Sequence, residues 1–161
     1  MAEEARLDRW GAALLAAATA ALILAWPGWH LGDAVPEDSY PQEPELFAAA
    51  AESYVDLHRV GERDGVPLVR PPPDAHVPVV ARRFEFWPAL ELQAGRTYHL
   101  HVAAVDTVHS VVAQGREYAL VPGQVQVITV VPGEQVTLQC GEYCGLGHNR
   151  MRGLVSVVAP D

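Results

Sequence analysis

Cys140-Gly-Glu-Tyr-Cys144-Gly-Leu-Gly-His148-Asn-Arg-Met151 brings two thiols, an imidazole and a thioether together within twelve residues near the C-terminus. Soft donors mixed in this way suit copper. The second half alone, Cys144-x3-His148-x2-Met151, would serve a site holding one copper ion. Cys140, four residues earlier, changes the reading, because two thiolates on one loop can bridge two metal ions. His148, Met151 and a more distant histidine then become end ligands, and the loop reads as a binuclear, electron-transferring copper centre. Zinc would accept two cysteines and two histidines, but structural zinc loops have no need of a methionine. A disulfide would close only a three-residue gap and leave His148 and Met151 without a role.

The missing ligand lies upstream. His109, in Val105-Asp-Thr-Val-His109-Ser-Val, sits near a strand edge that a Greek-key fold would bring beside the last loop. His99 and His101 compete for the role, but they alternate on one strand, where a histidine is more often an ordinary surface or core residue. Asp106 is a candidate acceptor for the second ring nitrogen of a ligating histidine, a contact that fixes the tautomer.

The loop is expected between two strands, Val136 to Gln139 and Leu154 to Val158. Further β-rich runs cover Val77 to Trp87, Arg96 to Val105, Val108 to Ala113 and Val125 to Val131. Ala94-Gly95, Gly115, Pro122-Gly123 and Pro132-Gly133 separate them as turn signals. Together they predict a small, mainly β, antiparallel Greek-key barrel or sandwich over 77–161. Residues 34–76 read as a linker, with a short helix over Pro44 to Arg59 whose apolar stripe is Phe47, Ala50, Tyr54 and Leu57 or His58. Residues 1–33 read as a cytoplasmic tip and a membrane-spanning helix.

That last expectation rests on Trp10 to Trp29, which contains no ionisable side chain. About 20 residues suffice to cross a bilayer as a helix. Trp10, Trp26 and Trp29 flank the run as interfacial aromatics do. Glu3, Glu4 and Asp8 are unusual in a cleaved leader, which favours a retained anchor. Arg6 and Arg9 precede the run and no arginine follows until Arg59, so the N-terminus is expected in the cytoplasm and the β domain outside. The formal net charge of −9 argues against a nucleic-acid partner. All eleven basic residues are arginine. No nucleophile–base pair or phosphate-cradling loop appears, so no substrate-converting site is expected on this chain.

The loop, the upstream Asp106-Thr-Val-His109 and the single N-terminal helix resemble subunit II of haem-copper cytochrome c oxidases. The likeness runs from about Val77 to Val158 and includes Leu120-Val-Pro-Gly123 and Val131-Pro-Gly133. One helix, where many relatives have two, looks closer to the B-type branch. The resemblance implies a cupredoxin-like β domain tethered by one transmembrane helix in a prokaryotic cell membrane, with the β domain on the outer or periplasmic side. It implies a dinuclear CuA centre bridged by Cys140 and Cys144. His109 and Met151 would terminate one copper, and His148 with the backbone carbonyl of Glu142 the other. In some branches the carboxylate at the Glu142 position also binds magnesium against subunit I, and the B-type likeness argues against that here.

The family accepts single electrons from cytochrome c and passes them to haem in subunit I, where oxygen is reduced and protons are pumped. Trp87 and Phe86, in Phe84-Glu-Phe86-Trp87, are candidate residues for electron input, with Trp87 expected to be exposed and Phe84 and Phe86 in the core. Glu85, Glu91, Glu117 and Glu142 are candidate steering charges for a basic cytochrome. A CuA-bearing nitric oxide reductase subunit and a membrane-tethered copper carrier are the alternatives.

Overall fold

A computed structural model of the chain describes residues 2–30, 38–133 and 135–160, with side chains of the first segment described at 10–25. The chain divides into two compact units, Met1–Val35 and Pro36–Asp161. In the first, Ala2–His30 forms one α-helix, α1, in keeping with its alanine and leucine content. Every described side chain of α1 is exposed, including Leu14, Leu15, Leu22, Ile23 and Leu24. Among the described residues no helix is long and apolar enough to cross a membrane. The uncharged run in the sequence continues past them to Trp29, and the side chains of Trp26 and Trp29 lie outside the described residues.

The second unit begins with β1 (Asp38–Pro41), α2 (Pro44–His58), β2 (Arg59–Arg63), β3 (Val66–Val69), β4 (His76–Arg82) and β5 (Glu85–Gln93). It continues with β6 (Tyr98–Ala104), β7 (His109–Ala113), β8 (Arg116–Leu120), β9 (Gln124–Val130) and β10 (Gly153–Val158). The larger sheet runs β1-β9-β6-β4-β5-β3-β2, with β10 also paired to β5, while β7 and β8 form a separate hairpin. Gln139 ties the two together, bridging Val112 of β7 on one side and Arg152, just before β10, on the other.

Several expectations change. The sheet is mixed rather than antiparallel, because β4–β6, β3–β5 and β5–β10 all pair in parallel. The run Val77 to Trp87 is a hairpin rather than one strand, turning at Arg83 and Phe84. Val136 to Gln139 is not a strand. Val136 and Leu138 alternate inward as a strand would, but only Gln139 finds a bridge partner. The segment 34–76 is not a linker, since β1 extends the sheet at β9 and β3 pairs with β5.

Helix α2 opens with Pro44 in its first turn and Glu45 beside the positive end of the helix dipole. It buries Phe47, Ala51 and Val55, spaced four apart along one face. The expected stripe is one residue out of phase after Phe47: Ala51 and Val55 are buried in place of Ala50 and Tyr54, and Ala50 and Leu57 are exposed. Phe47 and Ala51 pack on Val80, Ala103 and Val125, the face of β4, β6 and β9 turned away from the main core. On the other face, Val77, Val79, Leu100, Val102, Ile128 and Leu138 form a core that includes Cys140, Cys144 and Met151.

Candidate metal centre

Cys140 and Met151 face each other across the neck of the loop, where the Cys140 N–H donates to the Met151 carbonyl at 3.1 Å. Next to this rung, the Gly153 N–H donates to the Leu138 carbonyl at 2.8 Å. On the other flank Val112 and Gln139 exchange both backbone bonds, at 2.7 and 3.3 Å. Continued toward the loop, that antiparallel register brings the start of β7, with His109, beside Gly141 and Glu142. The Gly141 N–H donates to Ser110 Oγ at 2.9 Å, and Ser110 Oγ donates to Glu117 at 2.6 Å. The far side of the loop is a 3-10 turn, His148–Arg150, in which the Met151 N–H donates to the His148 carbonyl at 3.0 Å. Residues three apart in such a turn lie over one another. His148 and Met151 therefore both face Cys144.

The donors converge. The two sulfurs lie 3.8 Å apart, far beyond a disulfide bond of about 2.05 Å. His109 Nδ1 is 3.8 Å from Cys140 Sγ, and the Glu142 carbonyl oxygen is 3.1 Å from the same sulfur. His148 Nδ1 and Met151 Sδ lie 3.9 and 3.7 Å from Cys144 Sγ. Cys140, Cys144, Met151 and His109 are all buried. All six donor residues expected from the sequence thus meet at one place, Glu142 through its backbone oxygen. Zinc could use four of them. A fully buried methionine sulfur aimed at the thiol pair suits copper better.

Electrostatics favour a cation. Burial, reinforced by the neighbouring Cys140, pushes the Cys144 thiol up to about 11. Without positive charge the Cys144 thiol stays protonated, and a bound metal ion reverses that preference. The second ring nitrogen of His109 is already held. Its Nε2–H donates to Asp106 Oδ1 at 2.8 Å, leaving Nδ1 as the lone-pair atom facing Cys140. Burial opposes ionisation of Asp106. Hydrogen bonds from the Arg83 N–H, His109 and the Thr107 N–H outweigh it and hold the carboxyl below its ordinary range.

The rim of the loop is apolar and open, with Leu146, Tyr143, Val108 and Val121 exposed. Phe84 lies at the β4–β5 turn with its ring 3.2 Å from where a side chain on Gly145 would begin, and it contacts the corresponding position at Gly147 more closely still. Gly145 also has φ +132, a conformation side chains resist. The loop glycines thus let the ring lie flat against the backbone.

No family profile matches the chain. Probable cytochrome c oxidase subunit 2 of Streptomyces coelicolor is 33% identical over 78 residues, covering 46% of this chain and 24% of that protein. The counterpart from Streptomyces avermitilis matches with the same identity and coverage. Over that stretch, the chain is similar to cytochrome c oxidase subunit 2. The match spans about a quarter of each relative's length. Among solved structures, rusticyanin from Thiobacillus ferrooxidans aligns with a TM-score of 0.52 at 14% identity, over 78% of this chain and the whole of that one. A second rusticyanin structure reaches 0.55 at 15% identity. The fold is accordingly mainly β and cupredoxin-like, and the clustered histidine and cysteines fit copper binding.

The expected input residues move. Phe86 is 2% exposed and lies in the core, so it cannot form part of a docking surface. Trp87 is half-buried, with the Arg82 guanidinium 5.6 Å above its ring. Phe84, expected in the core, is the exposed aromatic beside the loop, because it occupies a turn and not a strand. Three of the four candidate steering carboxylates already have partners, Glu85 on Arg82, Glu91 on Arg70 and Glu117 on the Ser110 hydroxyl. Sequence reasoning missed Arg83, whose Nε donates to the Cys144 carbonyl at 3.2 Å. Only the hairpin turn brings it there, and no spacing pattern announces that contact.

Proposed function

We propose that this chain is the electron-receiving subunit of a haem-copper terminal oxidase and holds a dinuclear CuA centre in the Cys140–Met151 loop. The carrying observation is the pair of buried sulfurs 3.8 Å apart, flanked by two imidazoles, a thioether and a backbone carbonyl. Cys140 and Cys144 would be shared by the two metals, with His109 and Met151 holding one copper and His148 with the Glu142 carbonyl holding the other. Bound there, copper supplies a one-electron couple shared across two thiolates. The protein's part is to hold the ligands still, so that little rearranges when the electron arrives or leaves. The neck hydrogen bonds and the 3-10 turn fix both thiols, and Asp106 fixes the ring of His109.

Electrons arrive from cytochrome c at the apolar rim of Phe84, Tyr143 and Leu146 and leave toward haem in subunit I. Helix α1 anchors the β domain in a prokaryotic cell membrane, its N-terminus cytoplasmic and the domain on the outer side. The uncharged run Trp10 to Trp29, with leucine and isoleucine exposed along its described part, supports that placement. A copper carrier that hands metal on wants exchangeable ligands, and the burial of both cysteines and Met151 argues against that role.

The test is copper content and spectrum. The full chain reconstituted with copper should hold two ions and give a seven-line hyperfine pattern by electron paramagnetic resonance. Cys140→Ser should abolish the pattern. A single ion per chain, or a seven-line pattern that survives the substitution, would overturn the assignment. Oxygen uptake by the complex purified with subunit I, rather than consumption of nitric oxide, would place it among the oxidases.

A further inference from the structure

A second cluster of metal-binding side chains lies on the same sheet, away from the cysteine loop. His76 on β4 is the register partner of His99 on β6, and His101 follows two residues later on the same face. Their neighbours Leu100 and Val102 turn into the core, so the three imidazoles share the opposite face. The rings are in contact. His76 stacks on His99 with centroids 4.9 Å apart and meets His101 edge-on at 5.0 Å. His76 Nδ1 and His101 Nε2 are 2.7 Å apart.

The outer nitrogens are also held. His101 Nδ1 is paired with the Tyr40 hydroxyl at 2.8 Å, and His99 Nδ1 with Thr129 Oγ1 at 3.1 Å. In each case the hydrogen bond takes Nδ1 of the ring and leaves Nε2 to face the cluster, where that of His101 meets His76 Nδ1. That division of labour is the one seen around ligating histidines, where a second-shell group fixes the ring and its tautomer. Burial, then the neighbouring His76 and His99, keeps the His101 imidazole below its ordinary range.

We propose that His76, His99 and His101 form a binding site for one divalent transition-metal ion of the imidazole-seeking class, with Tyr40 and Thr129 as orienting groups. The ion replaces the hydrogen bond between His76 Nδ1 and His101 Nε2. A metal–imidazole bond of about 2.0–2.1 Å asks the two nitrogens to separate by only a few tenths of an ångström. His99 joins by turning from its stack on His76, carrying its free Nε2 inward. The site is separate from the thiol loop. Asp106, which holds His109, is bonded at the opposite end of the β4 and β6 pair, to Arg83. The six steps along β4 from His76 to Arg82 put roughly 20 Å between the two places.

Nickel(II) is the probe, counted per chain after desalting at pH 7.5. The full chain carrying Cys140→Ser and Cys144→Ser, which removes the thiol site, should still retain one nickel ion. Adding His101→Gln should remove it, and adding Tyr40→Phe should weaken binding several-fold by freeing the His101 ring. Failure of the thiol-less chain to retain nickel while giving the circular dichroism of the parent would overturn the proposal, as would retention undiminished by His101→Gln. If the double serine variant does not fold, the count is made on the native chain. There His101→Gln should lower the nickel number by one, and an unchanged number would refute the site.

Discussion

Replacing Asp106 with asparagine is the sharpest test of how the centre is held. Asp106 Oδ1 accepts from His109 Nε2–H and from the Thr107 N–H, both at 2.8 Å, and Oδ2 accepts from the Arg83 N–H at 2.9 Å. Asparagine keeps the shape but has one acceptor oxygen. If its oxygen faces His109, its NH2 confronts the Arg83 N–H. If it faces Arg83, its NH2 confronts the His109 ring. Either way a donor meets a donor, and the bond to His109 loses its charge assistance. Hydrogen bonds to charged groups contribute about 1.5–3 kcal/mol, and loss of an orienting partner typically lowers metal affinity about 10–100-fold, some 1.4–2.7 kcal/mol. Copper affinity of Asp106→Asn, measured by competition with a chelator of known strength, should therefore fall by one to two orders of magnitude while the fold, read by circular dichroism, persists. An affinity within twofold of the parent would refute the claim that Asp106 sets the His109 ring.

The same carboxylate gives a pH dependence. Its folded pKa is depressed, so its contribution to stability is present above the unfolded value of about 3.9 and is lost as pH falls through the lower folded value. Acid unfolding of the metal-free chain should begin at higher pH in Asp106→Asn than in the parent, as followed by tryptophan fluorescence. Met151→Leu should keep copper but shift its reduction potential in a voltammetric titration, since a thioether tunes copper more than it holds it. An unchanged potential would count against methionine ligation. Phe47→Ala, at a side chain 4% exposed against Val80 and Ala103, should destabilise the β domain by about 3–5 kcal/mol in urea unfolding. A cost below about 1 kcal/mol would return α2 to the role of a spacer.

The donors were legible because their types are rare and their spacing is short. Two cysteines, a histidine and a methionine within twelve residues leave few chemical options, and His109 stood out by its place before a strand. What stayed hidden was long-range. Arg83 reaches the Cys144 carbonyl across 61 positions, and the Tyr40 and His101 side chains meet across the same separation. His76 had no visible link to His99, because parallel pairing of β4 with β6 is set by topology and not by either strand's own pattern. The segment 38–69 looked like a linker because its strands are only four or five residues long and its Gly61–Gly65 stretch reads as a helix end. Its partners in the sheet give those residues their strand conformation.

The placement of the two thiols explains why the loop sits in the core and not on a stalk. Ionising both without a cation would set two negative charges 3.8 Å apart. Even at an effective dielectric constant of 20 that repulsion is about 4 kcal/mol, and burial adds to it, as the raised Cys144 thiol records. The Cys144 thiol is therefore held neutral without metal, and both sulfurs are already positioned by the Cys140–Met151 rung and the 3-10 turn. Metal uptake must expel the Cys144 proton, so its affinity rises with pH below that thiol's range. It needs little movement of the backbone, since every donor already lies within 3.9 Å of a sulfur. A surface loop would ionise its thiols more easily, but it would also let water and motion reach the ligands and add to the reorganisation that each electron transfer must overcome. On the proposed function, burial makes copper harder to bind at low pH and, by holding the ligands fixed, would make the bound centre a faster relay.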